Sequence, residues 1–163
     1  MLMQTTVVDA ETMRTLATRI ASFLQAGDVV VLDGPLGAGK TTFTQGLAAG
    51  LGVSGTVTSP TFVVARAHKA LVDGPTLVHV DAYRLSGADD IDNLDFDQYG
   101  PHILVMEWGS PFVHFVTDDW LHICIDRDDV EGDSEDPAGG VRTLDIETHG
   151  SRWDDFDITQ VLA

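Results

Sequence analysis

The stretch Gly34-Pro35-Leu36-Gly37-Ala38-Gly39-Lys40-Thr41-Thr42 constrains this chain more than any other. It fits the spacing G-x-x-x-x-G-K-[ST], a loop that binds phosphate. The motif belongs between a strand and a helix, and its flanks read that way. Val29-Val30-Val31-Leu32 is an apolar run of the kind found in a buried parallel strand. Lys40 to Ala49 contains no proline and reads as a helix that ends at Gly50 and Gly52. A chance glycine-rich turn would not bring both flanks with it.

The residue types explain the chemistry. Glycines at Gly34, Gly37 and Gly39 let the backbone curl until successive N–H groups point at an anion, with Leu36 and Ala38 contributing main chain between them. The helix N-terminus adds partial positive charge. Lys40 is a mobile cation for the β- and γ-phosphates. Thr41 offers a hydroxyl to Mg²⁺, and Thr42 is placed for the α-phosphate. The expected ligands are a nucleoside triphosphate, ATP turning to ADP, with Mg²⁺.

Composition narrows the partners. The chain carries 26 acids against 9 bases, a formal net charge of −17. Such a surface repels phosphate backbones, so direct nucleic-acid binding in isolation is not expected, whereas a basic partner surface would be attracted. Most of those acids are explained by solubility alone. No apolar run is long enough to span a bilayer, and the N-terminus lacks the basic start and apolar centre of a signal peptide, so a cytoplasmic protein is expected. The sole cysteine, Cys124, excludes an internal disulfide and reads as a small buried hydrophobe. At 163 residues one domain is expected over 1–163.

Along the chain, Asp9 caps a helix in which Met13, Leu16, Ile20, Phe23 and Leu24 recur on one face, with Gly27 as its stop. Phe62 to His68 and Thr76 to Val80 read as strands joined by the Asp73-Gly74-Pro75 turn. A hairpin there implies a mixed sheet. Gly87 to Gly100 reads as a short acidic helical segment whose aspartates are too irregular for a calcium loop. His102 to Met106, Trp120 to Asp126 and Arg142 to Thr148 are strands, and Pro111 to Val116 is a helical turn. The acidic stretch 128–140 reads as a flexible hairpin loop. In the acidic tail 150–163, Trp153 and Phe156 are the anchors.

Nucleotide hydrolysis needs acids at neighbouring strand ends to hold Mg²⁺ directly or through water. Asp81 follows Leu77-Val78-His79-Val80, and Glu107 follows Ile103-Leu104-Val105-Met106. Spacing does not choose between them. Thr61 is either a hydroxyl that reaches the metal and γ-phosphate or a plain turn threonine. Trp108 either covers the nucleotide or packs in the core. His79 reads as a core histidine, and the other histidines show no metal spacing along the chain.

Taken together, Gly34 to Thr42, Thr58-Ser59-Pro60-Thr61-Phe62, His79-Val80-Asp81-Ala82-Tyr83-Arg84-Leu85 and Glu107-Trp108 resemble the TsaE (YjeE) ATPases in identity and order. The resemblance implies an α/β fold like the P-loop NTPases, a mixed β-sheet with helices on both faces. It also implies a bacterial ATPase accessory to the threonylcarbamoyl modification of adenosine in tRNA. Such a protein binds and resets the TsaB–TsaD pair rather than performing the transfer. By position, Lys40 and Thr42 would bind phosphates, Thr41 and Glu107 the metal side, and Asp81 and Thr61 the hydrolysis machinery. Trp108 would lie in the functional region. The 128–140 loop and the acidic tail have no counterpart in that pattern.

Other P-loop chemistries compete. A small-molecule kinase commonly carries an arginine-rich lid, and the seven arginines here are scattered. A GTP switch would need an N-K-x-D signature, which is missing. A nucleotide-gated scaffold with incidental hydrolysis shares every motif above.

Overall fold

The computed structural model describes residues 2–35, 37–58, 64–127 and 140–162. The elements in order are β1 (Leu2–Val7), α1 (Ala10–Ala21), β2 (Val29–Asp33), α2 (Lys40–Leu51), β3 (Ala65–His68), β4 (Thr76–Asp81), α3 (Ala88–Leu94), β5 (His102–Glu107), β6 (Trp120–Arg127) and β7 (Arg142–His149). Short 3₁₀ turns follow β4, α3, β7 and the β5 loop.

All the strands join one seven-stranded sheet in the order β1-β7-β6-β2-β5-β4-β3. Its centre is parallel, where β2 pairs with both β5 and β6, and β5 with β4. Its flanks are antiparallel, through β3–β4, β6–β7 and β1–β7. The expected hairpin and mixed sheet are therefore present. Residues 59–63, the start of the expected Phe62–His68 strand, lie outside the described residues, as does 128–139 of the acidic loop.

Alternation sorts the side chains by face. Val30 and Leu32 join Ile123, Ile125, Leu144 and Ile146 under α1 and α2, and Trp153, Ile158 and Val161 of the tail close the same core. Val29 and Val31 join Val78, Val80, Leu104 and Met106 on the other face, where Ile91 of α3 and Val113 cover them. Helices thus pack on both faces. The tail is anchored as expected: Trp153 is buried, and its ring and that of Phe23 both meet Phe156 edge-on, at 5.2 and 5.1 Å.

Helix α1 begins at the Asp9 cap, whose carboxylate accepts the Thr12 amide at 2.7 Å. It ends at Ala21, earlier than the Gly27 stop. The amides of Phe23 and Leu24 bond Ile20 and Ala21 three residues back, tightening the chain out of the α-helix, so those apolar residues pack from a turn. Gly50 likewise does not end α2, which runs on to Leu51 and closes at Gly52 in the left-handed region. Gly46 and Gly50 serve packing instead. A Cβ on Gly46 would meet the Arg14 carbonyl at 2.6 Å, and one on Gly50 would meet Ala21 Cβ at 2.7 Å. Bare backbone there lets α2 lie directly on α1.

Strand β1 was not expected from its sequence. It pairs along its length with β7, at one edge of the sheet.

Candidate functional site

The P-loop connects the carboxyl end of β2 to the N-terminus of α2. Three glycines take backbone angles that favour glycine, with φ of +152° at Gly34, +79° at Gly37 and +113° at Gly39. At Gly34 space is also decisive, because a Cβ would lie 2.3 Å from the Ile125 carbonyl oxygen. The α2 cap is Gly39, with no side chain bonded to the first-turn amides. Those amides are left to an outside acceptor, which suits an anion. Thr41 and Thr42 are half-buried in that first turn, and Ala38 is buried. Leu36 lies outside the described residues.

Arg142, the first residue of β7, braces the loop from behind. Its Nε donates to the Ala38 carbonyl at 3.0 Å and its guanidinium reaches the Gly37 carbonyl at 3.4 Å. Sequence reading missed this residue, and its separation of over a hundred positions left no local signal.

Lys40 is 6% exposed. Its Nζ donates to the Gly34 and Pro35 carbonyls at 2.7 and 3.1 Å, and it sits 4.3 Å from the centre of the Trp108 ring. Burial pushes its ammonium below the usual lysine range, while the charges of Glu107, Asp33 and Asp81 oppose that shift. The lysine is thus tied to carbonyls of its own loop, with three carboxylates near enough to act on its charge.

The two acids chosen at strand ends come together. Asp81 and Glu107 are register partners across β4 and β5, and Glu107 is the register partner of Leu32 on β2. Both are buried, at 8% and 5% exposure. The Asp81 carboxylate accepts the Tyr83 amide at 3.0 Å, which caps the following turn. Glu107 Oε2 lies 2.7 Å from Nε2 of His79. His79 is therefore more than a satisfied core histidine. It is fully buried, one nitrogen meets Glu107, and Nδ1 has no partner among the described residues. The signal was the i, i+2 spacing of His79 and Asp81, which puts both on one face of β4. Trp108 follows with φ of +60°, unusual for a bulky residue, and its ring tilts against Tyr83 at 5.6 Å. That backbone turn places the indole over Lys40 rather than in the core. Thr61 lies outside the described residues.

A glycine loop of the P-loop pattern, a buried lysine held on it and two strand-end acids on a mixed sheet define a P-loop α/β protein. The comparisons with known proteins carry this further. The family model described as "Threonylcarbamoyl adenosine biosynthesis protein TsaE" matches residues 7–135. A tRNA threonylcarbamoyladenosine biosynthesis protein TsaE of Streptomyces coelicolor is 52% identical over 153 residues, covering 93% of this chain and 99% of that one. One of Bacillus subtilis is 38% identical over 131 residues, 78% of each chain. The crystal structure of Bacillus YdiB superposes with a TM-score of 0.69 at 30% identity, covering 94% of this chain and 89% of that one. The chain belongs to the TsaE family, whose members are named for the biosynthesis of threonylcarbamoyladenosine in tRNA. Among the described residues, no helix is long and apolar enough to cross a membrane.

Proposed function

We propose that this chain is a Mg²⁺-dependent ATPase that serves tRNA threonylcarbamoyladenosine formation by binding the TsaB–TsaD pair and resetting it between turnovers. The observation that carries the reading is Lys40, held on the P-loop within the field of Asp81 and Glu107. Phosphoryl transfer to water asks the protein mainly for positioning and charge neutralisation. Here the amides of Gly37 to Thr42 and the Lys40 ammonium would hold the triphosphate. The Thr41 hydroxyl and Glu107 are the donors for Mg²⁺, which when bound supplies charge neutralisation on the phosphates. Asp81 would orient the attacking water, and Trp108 would shield the phosphates from bulk solvent. Thr61 is proposed as the switch hydroxyl of the same site.

No arginine is among the groups named here, which are loop amides, carboxylates, hydroxyls, Lys40 and the Trp108 ring. We therefore expect slow turnover in isolation, with the partner pair completing the site. The net charge of −17 favours a basic partner surface over bare tRNA. The test is ATP affinity and phosphate release, measured with and without purified TsaB–TsaD. Turnover should rise on mixing, and Lys40→Ala should lose both affinity and turnover. An unchanged rate on mixing, or an unaffected Lys40→Ala variant, refutes the proposal.

A further inference from the structure

On the sheet face opposite α1 and α2, the β2, β6 and β7 strands carry a second polar group of residues. Alternation sends Leu121, Ile123 and Ile125 into the core and turns His122 and Cys124 the other way. Cys124 is thus half-buried in polar company, not the buried hydrophobe its apolar neighbours suggest. The register sets it beside Asp33 of β2.

The donor atoms of Asp33, His122 and Cys124 all lie within 4.8 Å of one another. His122 also belongs to a second such group with Glu147 and His149. His122 Nε2 stands 2.6 Å from Asp33 Oδ2 and 3.4 Å from Cys124 Sγ. The Ser110 hydroxyl donates to the same Asp33 oxygen, fixing the carboxylate as a hydrogen-bonding neighbour fixes a metal ligand.

We propose that Asp33, His122 and Cys124 bind a divalent transition ion of the zinc class. An imidazole, a thiolate and a carboxylate suit zinc and exclude magnesium and calcium, which take oxygen donors. The imidazole's separations from both partners come close to those of a zinc site. Neighbouring donors on a tetrahedral zinc stand roughly 3.3–3.6 Å apart, given its usual bond lengths. The sulfur–nitrogen distance already fits, and the carboxylate must open from His122 by less than about 1 Å. Binding takes the lone pair of neutral His122 and releases the Cys124 proton to solvent. Three protein donors leave the fourth position to water. His122 and Cys124 alternate along β6, and the third donor, Asp33, arrives from β2. Asp33 immediately precedes the P-loop, so an ion here would neutralise one of the carboxylates that act on Lys40.

The test is titration of the full chain, reduced and stripped with chelator, with Co²⁺. A thiolate-to-cobalt charge-transfer band should saturate at one ion per chain, yield to Zn²⁺ and survive excess Mg²⁺. Cys124→Ser should abolish the band, His122→Ala should weaken binding at least ~10-fold, and His149→Ala should retain it. Zinc should also protect Cys124, the sole cysteine, from alkylation in the unmodified chain. Absence of the band and of protection in that chain, or a band that persists in Cys124→Ser, overturns the site.

Discussion

Two acids at opposite ends of the sheet are equally buried and differently used. Asp28, at the start of β2, and Glu107, at the end of β5, are each 5% exposed. Asp28 is saturated. Arg152 grips it with both Nε and a terminal nitrogen at 2.9 Å, the Gln25 amide adds a bond at 2.8 Å, and the same guanidinium ties down the Phe23 carbonyl. Glu107 has a single described hydrogen bond, to His79, and the remaining acceptor capacity faces the P-loop lysine. An ionised carboxylate has about four acceptor positions. One acid spends them on the fold. The other leaves most of them unspent among the described residues.

The contrast can be broken by exchange of roles. The largest effect on folding is expected from Arg152→Ala, which strands the buried Asp28 charge. We expect a loss of about 3 kcal/mol in urea unfolding, with nucleotide affinity of the folded protein unchanged. Glu107→Gln should do the opposite. It should cut ATP turnover by about 10²–10³, worth roughly 2.7–4 kcal/mol in the barrier, while unfolding free energy moves by less than about 1 kcal/mol. Stability loss from Glu107→Gln like that from Arg152→Ala would erase the distinction.

His79→Phe keeps an aromatic ring, at somewhat greater volume, and removes the only hydrogen-bond partner of Glu107 among the described residues. A fall of about 10–100-fold in turnover is expected, by analogy with lost orienting partners of metal ligands. Little change in ATP affinity would show that His79 positions the acid rather than binds nucleotide. The smallest effect concerns Asp9, which is exposed and holds only Thr12. The Thr12 amide, then the Thr12 hydroxyl, hold its carboxyl below the usual 3.8. A depressed folded value contributes stability above the unfolded value. That contribution is lost as pH falls from about 4 through the lower folded value. Asp9→Ala should flatten this acid limb in thermal melts taken across that range.

Much of this was legible. The P-loop, its flanking strand and helix, and the positions of Asp81 and Glu107 follow from an apolar run ending in a charged residue. What escaped depended on partners far along the chain. Leu2 to Val7 alternates weakly, and only pairing with β7 makes it a strand. Arg142 and Arg152 look like ordinary surface cations until the fold brings Ala38 and Asp28 to them. His79 was visible as a strand residue, but its tie to Glu107 required the β4–β5 register. The TsaE resemblance supplied the family, and the structure supplied these long-range ties.

The Arg142 brace ties the first functional element of the chain to nearly the last. During synthesis, the glycine loop emerges from the ribosome long before β7 does, and β1 must wait for the same strand. A nascent chain with everything from Arg142 onward still in the exit tunnel would hold the nucleotide motif without its support. The glycine loop therefore gains its Arg142 brace only once β7 has been made and paired.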